Sequence, residues 1–188
     1  MHVTTLVRDR FTRESDRLRL ERVTLEDHGG QKGQLRHQPA FVGAMQRAAL
    51  PAVLSEGEQT ALGLAGFFTE IHFDDSRSAI ILDDPVCSLD HVRREYVALR
   101  VAEFALDRQV IVFTHDVSFV ADLRRAADQV QVPFTERSIM RRGNDPGLCQ
   151  EGHPWKSKDV KARLAQLGVE VARLRRDAGG WDSDTYEK

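Results

Sequence analysis

Two short apolar runs, each followed by polar residues, constrain the fold of this chain more than any other feature. They occupy residues 79–82, in "SAIILDDPV", and residues 110–113, in "QVIVFTHD". Runs of this length and composition are typical of strands that are buried on both faces of a parallel sheet. Helical patterns at 91–106 and 117–129 follow the two runs, so strands alternate with helices. The sequence therefore predicts an α/β fold in which helices flank a parallel sheet.

The polar residues that follow the two apolar runs are candidates for chemistry. Asp83 and Asp84 end the first predicted strand, and Thr114, His115 and Asp116 follow the second. The carboxyl ends of parallel strands meet at the edge where open α/β folds bind ligands. Carboxylate oxygens suit Mg²⁺, so one aspartate would hold a hydrated metal ion while the other polarises a water. In the alternative interpretation, these side chains only cap helices or begin turns.

The stretch "LSEGEQTALGLAGFF" predicts a helix from residue 57 to residue 71 with a polar N-terminal end. Ser55 and Glu58 fit the capping box, in which each side chain accepts a hydrogen bond from the backbone N–H of the other residue. Free N–H groups at a helix N-terminus, beside a glycine such as Gly57, also form a ready anion site. The two interpretations are compatible.

Two flanking segments surround this predicted core, which spans residues 54–130. Residues 1–50 are expected to form an extended or hairpin segment, because alternating apolar residues that include Leu18 and Leu20 predict a strand over 18–26. The return strand of this N-terminal β-hairpin is expected at 34–38, after the turn "DHGGQKG".

The C-terminal extension, residues 131–188, combines extended and helical patterns. The sequence predicts an extended segment at 134–142, a turn at 143–147, a loop at 151–158 and a helix at 159–176. Along this helix, apolar residues recur at steps of four and three, at Val160, Leu164, Leu167, Val171 and Leu174. We interpret this heptad seam as core packing, since it is too short to require a coiled coil.

Composition restricts the class of protein. The chain has 188 residues, enough for a single domain over 1–188, and a formal net charge of -2, which argues against a strongly cationic nucleic-acid binder. Two cysteines, Cys87 and Cys149, cannot build a disulfide framework and fit a reducing cytoplasm. Cys149 and His153 have a metal-like spacing, but there is no second pair. No apolar stretch approaches the ~20 residues that span a bilayer, so no membrane association is expected.

Taken in order, "LSEGEQ", "AIILDDP", "SLD" and "VIVFTHD" resemble the signature motif, the Walker B strand, the D-loop and the switch histidine of ABC-type ATPase heads. The likeness is greatest to the family that contains RecF, SMC and Rad50 proteins and related bacterial ATPases, some of which act in DNA repair or phage defence. It covers residues 54–116 and implies the C-terminal lobe of a P-loop NTPase fold, with ATP and Mg²⁺ as ligands.

The resemblance implies a role for each matched residue. Asp83 would hold Mg²⁺ through water, Asp84 would orient or activate the attacking water, and His115 would contact the γ-phosphate. The signature residues would contact a nucleotide carried mainly by an opposing subunit: Ser55, Gly57, Glu58 and Gln59. The D-loop residues Ser88 and Asp90 would communicate across that dimer interface.

Three departures from the family pattern qualify these roles. No G-x-x-x-x-G-K-[ST] segment occurs, so the P-loop that cradles phosphates is missing. Asp84 stands where a longer glutamate is usual, and Glu56 stands where glycine is common. The expected partners are therefore a Walker A lobe, a second ATPase subunit and nucleic acid, and the isolated chain should hydrolyse ATP poorly.

Two other functions are compatible with the sequence. The chain could be a degenerate lobe that survives as a non-enzymatic interaction module. It could also be a metal-dependent nuclease that uses Asp83, Asp84, His115 and Asp116, although that function would leave "LSEGEQ" unexplained.

Overall fold

A computed structural model describes residues 3–27, 37–43, 50–152 and 160–177, which fall into two compact units, Met1–Phe134 and Thr135–Lys188. The first unit contains α1 (Val3–Arg17), β1 (Val23–Asp27), β2 (His37–Phe41), α2 (Leu50–Val53), α3 (Glu56–Phe73), β3 (Ile80–Asp83), α4 (His91–Phe104), β4 (Val110–Phe113) and α5 (Val117–Val130). The second unit contains β5 (Arg137–Arg142), β6 (Asp145–Glu151) and α6 (Val160–Asp177). Within the described ranges, no helix is both long enough and apolar enough to cross a membrane.

The two apolar runs form the predicted parallel strand pair. β3 and β4 pair in parallel register, from Ile80 opposite Val110 to Asp83 opposite Phe113. The prediction that both faces are buried is wrong, because Ile81 is 60% exposed and Phe113 is 47% exposed. Since alternate strand residues point to opposite faces, Ile80 and Leu82 enter the core, whereas no described element of the first unit covers the Ile81 face.

The N-terminal hairpin is confirmed, but its first strand begins later than the alternation predicted. β1 pairs antiparallel with β2, whereas residues 3–17 are helical. Leu18 and Leu20 are buried in the connection after α1, and the backbone N–H groups of both residues donate to Ser15 O. Arg19 has a left-handed backbone (φ 59°), which breaks the extended chain between the two leucines. Residues 34–36 of the predicted return strand lie outside the described residues.

A buried ion pair attaches α1 to α4. Glu14 is fully buried, and its two carboxylate oxygens accept hydrogen bonds from the Arg100 guanidinium at 2.8 Å each. Arg10 also pairs with Glu14, and Glu103 accepts a further hydrogen bond from Arg100 at 2.8 Å. The Arg100 guanidinium lies over the Phe104 ring, 3.9 Å from its centroid. This ion pair therefore holds α1 in place together with Phe11, which α1 contributes to the apolar core.

The predicted signature helix is α3, which packs in the centre of the first unit. Its buried side chains are Ala61, Leu64, Ala65, Phe68, Thr69 and Ile71. The ring of Phe68 lies 5.3 Å from the ring of Phe104 on α4. The interior is therefore built by α3 and α4 together with the inner face of β3 and residues of α1 and α5.

In the second unit, β5 and β6 form an antiparallel hairpin, so the predicted extended segment has a partner strand that the sequence did not indicate. The predicted helix is present as α6. Within this unit no described element covers its seam, whose five residues are 39% to 72% exposed, so the expected core packing is absent from the unit. Residues 153–158 of the predicted loop, and His153 with them, lie outside the described residues.

Candidate nucleotide site

Asp84 is held firmly at the carboxyl edge of the β3–β4 sheet. Its backbone N–H donates to Phe113 O at 2.8 Å, and its own conformation is left-handed (φ 42°), which aspartate tolerates. Carboxylate oxygen Oδ1 accepts from Thr114 Oγ1 at 2.9 Å and from the backbone N–H of His115 at 3.2 Å. Oδ2 lies 2.6 Å from Nδ1 of His115. The predicted Walker B and switch-histidine residues are thus in direct contact.

These contacts fix the charge state of Asp84. The hydrogen bond from the His115 side chain, followed by that from Thr114, lowers the pKa of Asp84 below its ordinary value. Asp84 is therefore an anion near neutral pH. The His115 ring is itself largely exposed, so the pair lies at the surface of the unit.

Asp83 is in a different environment from Asp84. By strand alternation it shares the open sheet face with Ile81, and its side chain is exposed. The Asp83 side chain makes no hydrogen bond or ion pair to any other residue in the described ranges, so its oxygens are accessible to the water shell of a cation. That fits a water-mediated Mg²⁺ ligand. Among the described residues, no group of three or more His, Cys, Asp or Glu side chains could hold a metal ion directly.

Asp116, the fourth residue of the nuclease alternative, is the N-cap of α5. Its Oδ1 accepts hydrogen bonds from Ser118 N–H at 2.9 Å and Phe119 N–H at 3.2 Å, and Oδ2 pairs with Arg94. Partial burial raises the pKa of Asp116, but the hydrogen bond from Phe119 and the charge of Arg94 outweigh it and keep the pKa below its ordinary value. Both oxygens of the Asp116 carboxylate are thus used in contacts that cap α5 and pair with Arg94.

The predicted capping box is present at the start of α3. Ser55 Oγ accepts from Glu58 N–H at 3.3 Å, and Glu58 Oε2 accepts from Ser55 N–H at 3.0 Å. Hydrogen bonds from the Ser55 backbone and hydroxyl lower the pKa of Glu58, which also pairs with Arg22 at 3.0 Å. Glu56 lies in the first turn, where a carboxylate is favoured by the helix dipole.

Gln59 closes the segment that leads into α3. Its side-chain Nε2 donates to Leu54 O at 2.9 Å and to Pro51 O at 3.2 Å. Gln59 and Glu58 therefore shape the signature segment in this structure, and their contact with a nucleotide remains a prediction.

Gly57 brings the signature segment against the D-loop. A Cβ at this position would lie only 2.5 Å from Ser88 O, and Ser88 has a left-handed backbone (φ 65°). The sequence predicts that Gly57 allows a phosphate to approach the start of α3 closely. The structure shows a second constraint, since the D-loop backbone occupies the space that a side chain would need.

Asp90 caps α4, and Arg93 extends its contacts. Asp90 Oδ1 accepts from Val92 N–H and Arg93 N–H at 3.0 Å each, and Oδ2 pairs with Arg93 at 3.0 Å. Arg93 also donates to Leu18 O at 3.4 Å and to Arg19 O at 3.3 Å. These two hydrogen bonds connect the residues that follow α1 to the predicted D-loop.

From the sequence, Arg93 and Arg94 were not expected at the site, and Thr114 was named only among the polar residues that follow the second strand. The contact of Arg93 with Asp90 could have been predicted, because the two residues lie three positions apart at the start of a predicted helix. The partners of Arg94 and Thr114 across the β3–β4 edge depend on the folded chain.

Two groups of predicted residues are therefore assembled: Asp84 with His115 at the sheet edge, and the signature segment with the D-loop. A family model for the AAA domain matches residues 44–157, more than half of the chain, and includes both groups. The chain belongs to this AAA domain family, AAA_13. No curated protein matches its sequence.

The solved structures that resemble this AAA domain chain include three SMC ATPase structures. One, described as "Structural biochemistry of ATP-driven dimerization and DNA stimulated activation of SMC ATPases", has 17% identity and a TM-score of 0.55, covering 89% of this chain and 92% of its own. The SmcHead bound to the C-winged helix domain of ScpA has 20% identity and a TM-score of 0.52, covering 63% of this chain. The SMC head domain from Thermotoga maritima has 21% identity and a TM-score of 0.50, covering 80% of this chain.

The chain spans 36% and 48% of the length of the latter two structures. At these identities the likeness establishes the fold alone. It confirms the predicted fold class, because the AAA domain chain has the α/β architecture of an SMC ATPase head, which is a P-loop NTPase fold.

Proposed function

We propose that this chain is the C-terminal lobe of an ABC-type ATPase and completes a composite ATP site in a dimer. The observation that carries the proposal is the contact of Asp84 with Thr114 and His115. It joins the end of the Walker B-like strand to the switch-histidine position, at the sheet edge where α/β folds bind ligands. The contact of Gly57 with the D-loop supports the same assignment.

The residues at the sheet edge would act by position and charge. Asp84 is an anion whose two oxygens are already oriented, and it would accept a hydrogen bond from the attacking water. Its side chain is one methylene shorter than that of glutamate, so its carboxylate would lie further from this water. His115 would contact the γ-phosphate while keeping Asp84 in place. Asp83 would hold Mg²⁺ through water, and a bound Mg²⁺ supplies charge neutralisation on the phosphates.

A Walker A lobe is the required partner. β3 and β4 form a two-stranded parallel sheet with an open apolar face at Ile81 and Phe113. Parallel sheets are almost always covered on both faces and extended by further strands. A complementary lobe that adds strands and helices here would cover this face and bring the P-loop.

The proposed second partner is another ATPase subunit, which would face Ser55 and the D-loop. A similar structure concerns ATP-driven dimerization and DNA-stimulated activation of SMC ATPases. We extend both properties to the protein that contains this chain, and propose that it couples ATP-driven dimerisation to work on nucleic acid, in DNA repair or phage defence.

The test combines this chain with a P-loop lobe, or uses a full-length parent, and measures ATP turnover. Asp84→Asn should abolish turnover while retaining ATP-dependent dimerisation by light scattering, and Ser55→Arg should abolish both. Asp107→Asn is the matched control, since Asp107 is an exposed aspartate in the α4–β4 connection. Unchanged turnover in both site variants would refute the proposal. Absence of any nucleotide-dependent dimerisation would favour the interaction module instead.

A further inference from the structure

Within the described part of the second unit, the apolar seam of α6 has no partner. The five seam residues are Val160, Leu164, Leu167, Val171 and Leu174. Every α6 residue whose exposure is described is exposed. Most of the stability of a helix in a protein comes from packing of its apolar face rather than from intrinsic helix propensity. The exposed seam therefore calls for a partner.

The positions of the apolar residues along α6 indicate what kind of partner would cover the seam. Its steps of four and three assign Leu164 and Val171 to heptad position a, and the other three seam residues to position d. A helix that packs on a globular core also has apolar residues at e or g. In α6 those positions hold only charged residues and Gly168. A strict a/d seam is the pattern of a coiled coil, so the partner is another helix.

The charges beside the seam select the identity and direction of that helix. In a parallel coiled coil, position g of one helix faces position e of the next heptad in its partner. Glu170 occupies g and Arg175 occupies e, so two identical parallel helices form this attractive pair twice and, within α6, no like-charge pair. In an antiparallel pair, the attraction between Arg163 and Glu170 would be offset by repulsion between Lys161 and Arg175.

We propose that α6 pairs with α6 of a second copy of this chain as a parallel two-stranded coiled coil. The pairing does not rest on the proposed ATPase function and needs no nucleotide. Because the seam covers fewer than the three to four heptads that sustain an autonomous coiled coil, the association is weak and concentration-dependent. Its consequence is a raised effective concentration of the two first units for any second, nucleotide-dependent contact.

Cysteine cross-linking of the full chain tests both the pairing and its direction. The exposed Cys87 and Cys149 are first replaced, by Cys87→Ser and Cys149→Ser. In this background, Leu174→Cys should give a disulfide-linked dimer under mild oxidation, because identical d residues face each other in a parallel pair. Val169→Cys, at outward position f on the same helix, is the matched control and should give no disulfide-linked dimer.

Two outcomes of the cross-linking would overturn the proposal. The first is equal cross-linking at residues 169 and 174. The second is preferential cross-linking between a Val160→Cys chain and a differently tagged Leu174→Cys chain, which an antiparallel pair would give.

A charge exchange supplies an independent readout. Glu170→Arg and Arg175→Glu should each weaken self-association about tenfold in sedimentation experiments, because two attractions become two repulsions. A mixture of the two variants should recover the affinity of the original chain through heterodimers. Mixed variants that associate no better than each alone would overturn the proposal, as would an original chain that stays monomeric at every concentration.

Discussion

Replacing Gly57 with alanine tests the contact between the signature segment and the D-loop. The new methyl carbon would lie 2.5 Å from Ser88 O, whereas close C···O contacts are about 3.3 Å long, so the two backbones must separate by roughly 0.8 Å. The position of the methyl carbon is fixed by the backbone at residue 57, and Ser88 O is itself a backbone atom of a residue with a left-handed conformation, so neither atom can rotate away. Overpacking of this kind costs about 1–3 kcal/mol.

The gain in helix propensity partly offsets that cost. Alanine is favoured over glycine within a helix by about 0.5–1 kcal/mol. The net result for Gly57→Ala is a loss of about 1–2 kcal/mol of unfolding free energy. At about 2–4 °C per kcal/mol for a chain of this size, the melting temperature should fall by about 4 °C.

Gly63 provides the matched control within the same helix. A Cβ at Gly63 meets nothing within 4 Å among the described residues, so Gly63→Ala should gain the propensity term alone and raise the melting temperature by about 2 °C. Thermal unfolding of both variants, followed by far-UV circular dichroism, measures the difference. Equal stabilisation by the two substitutions would refute the reasoning.

Two further predictions concern charged side chains. Glu14→Gln should destabilise the fold by about 3 kcal/mol, because it leaves the buried Arg100 without its main counter-charge. Arg17→Ala removes the more exposed Arg17–Glu103 pair and should cost less than about 1 kcal/mol. Urea unfolding measures both free energies, and equal losses would contradict this account. Because the pKa of Asp84 is lowered in the folded state, its ionised carboxylate stabilises the fold at pH values above the ordinary carboxyl pKa of 3.8. This stabilisation is lost as the pH falls through the lower pKa of the folded state. Acid unfolding of Asp84→Asn should therefore depend less steeply on pH below about 4 than that of the original chain, and identical acid limbs would argue against the contact with His115.

The parts of the fold that could be predicted are those with local causes. The capping box needs only Ser55 and Glu58, three residues apart, and it forms as the sequence indicates. The parallel pairing of β3 and β4 follows from two apolar runs separated by a helix. The contact between Asp84 and His115 follows in turn, because adjacent parallel strands end at one edge.

The parts that could not be predicted depend on contacts between distant residues. α1 is held in part by Glu14 and Arg100, which lie 86 positions apart in the sequence. The alternation at Leu18 and Leu20 arises from a turn after this helix, and not from a strand. The D-loop constraint on Gly57 appears only when Ser88 lies beside it.

The open face of the β3–β4 sheet has a practical consequence for handling the protein. Each strand has one edge that no described strand pairs with, and the face beside these edges carries Ile81 and Phe113. Unpaired edges next to exposed apolar side chains are a template for aggregation. A larger share of the chain should therefore enter inclusion bodies when it is produced alone than when it is co-expressed with a complementary lobe.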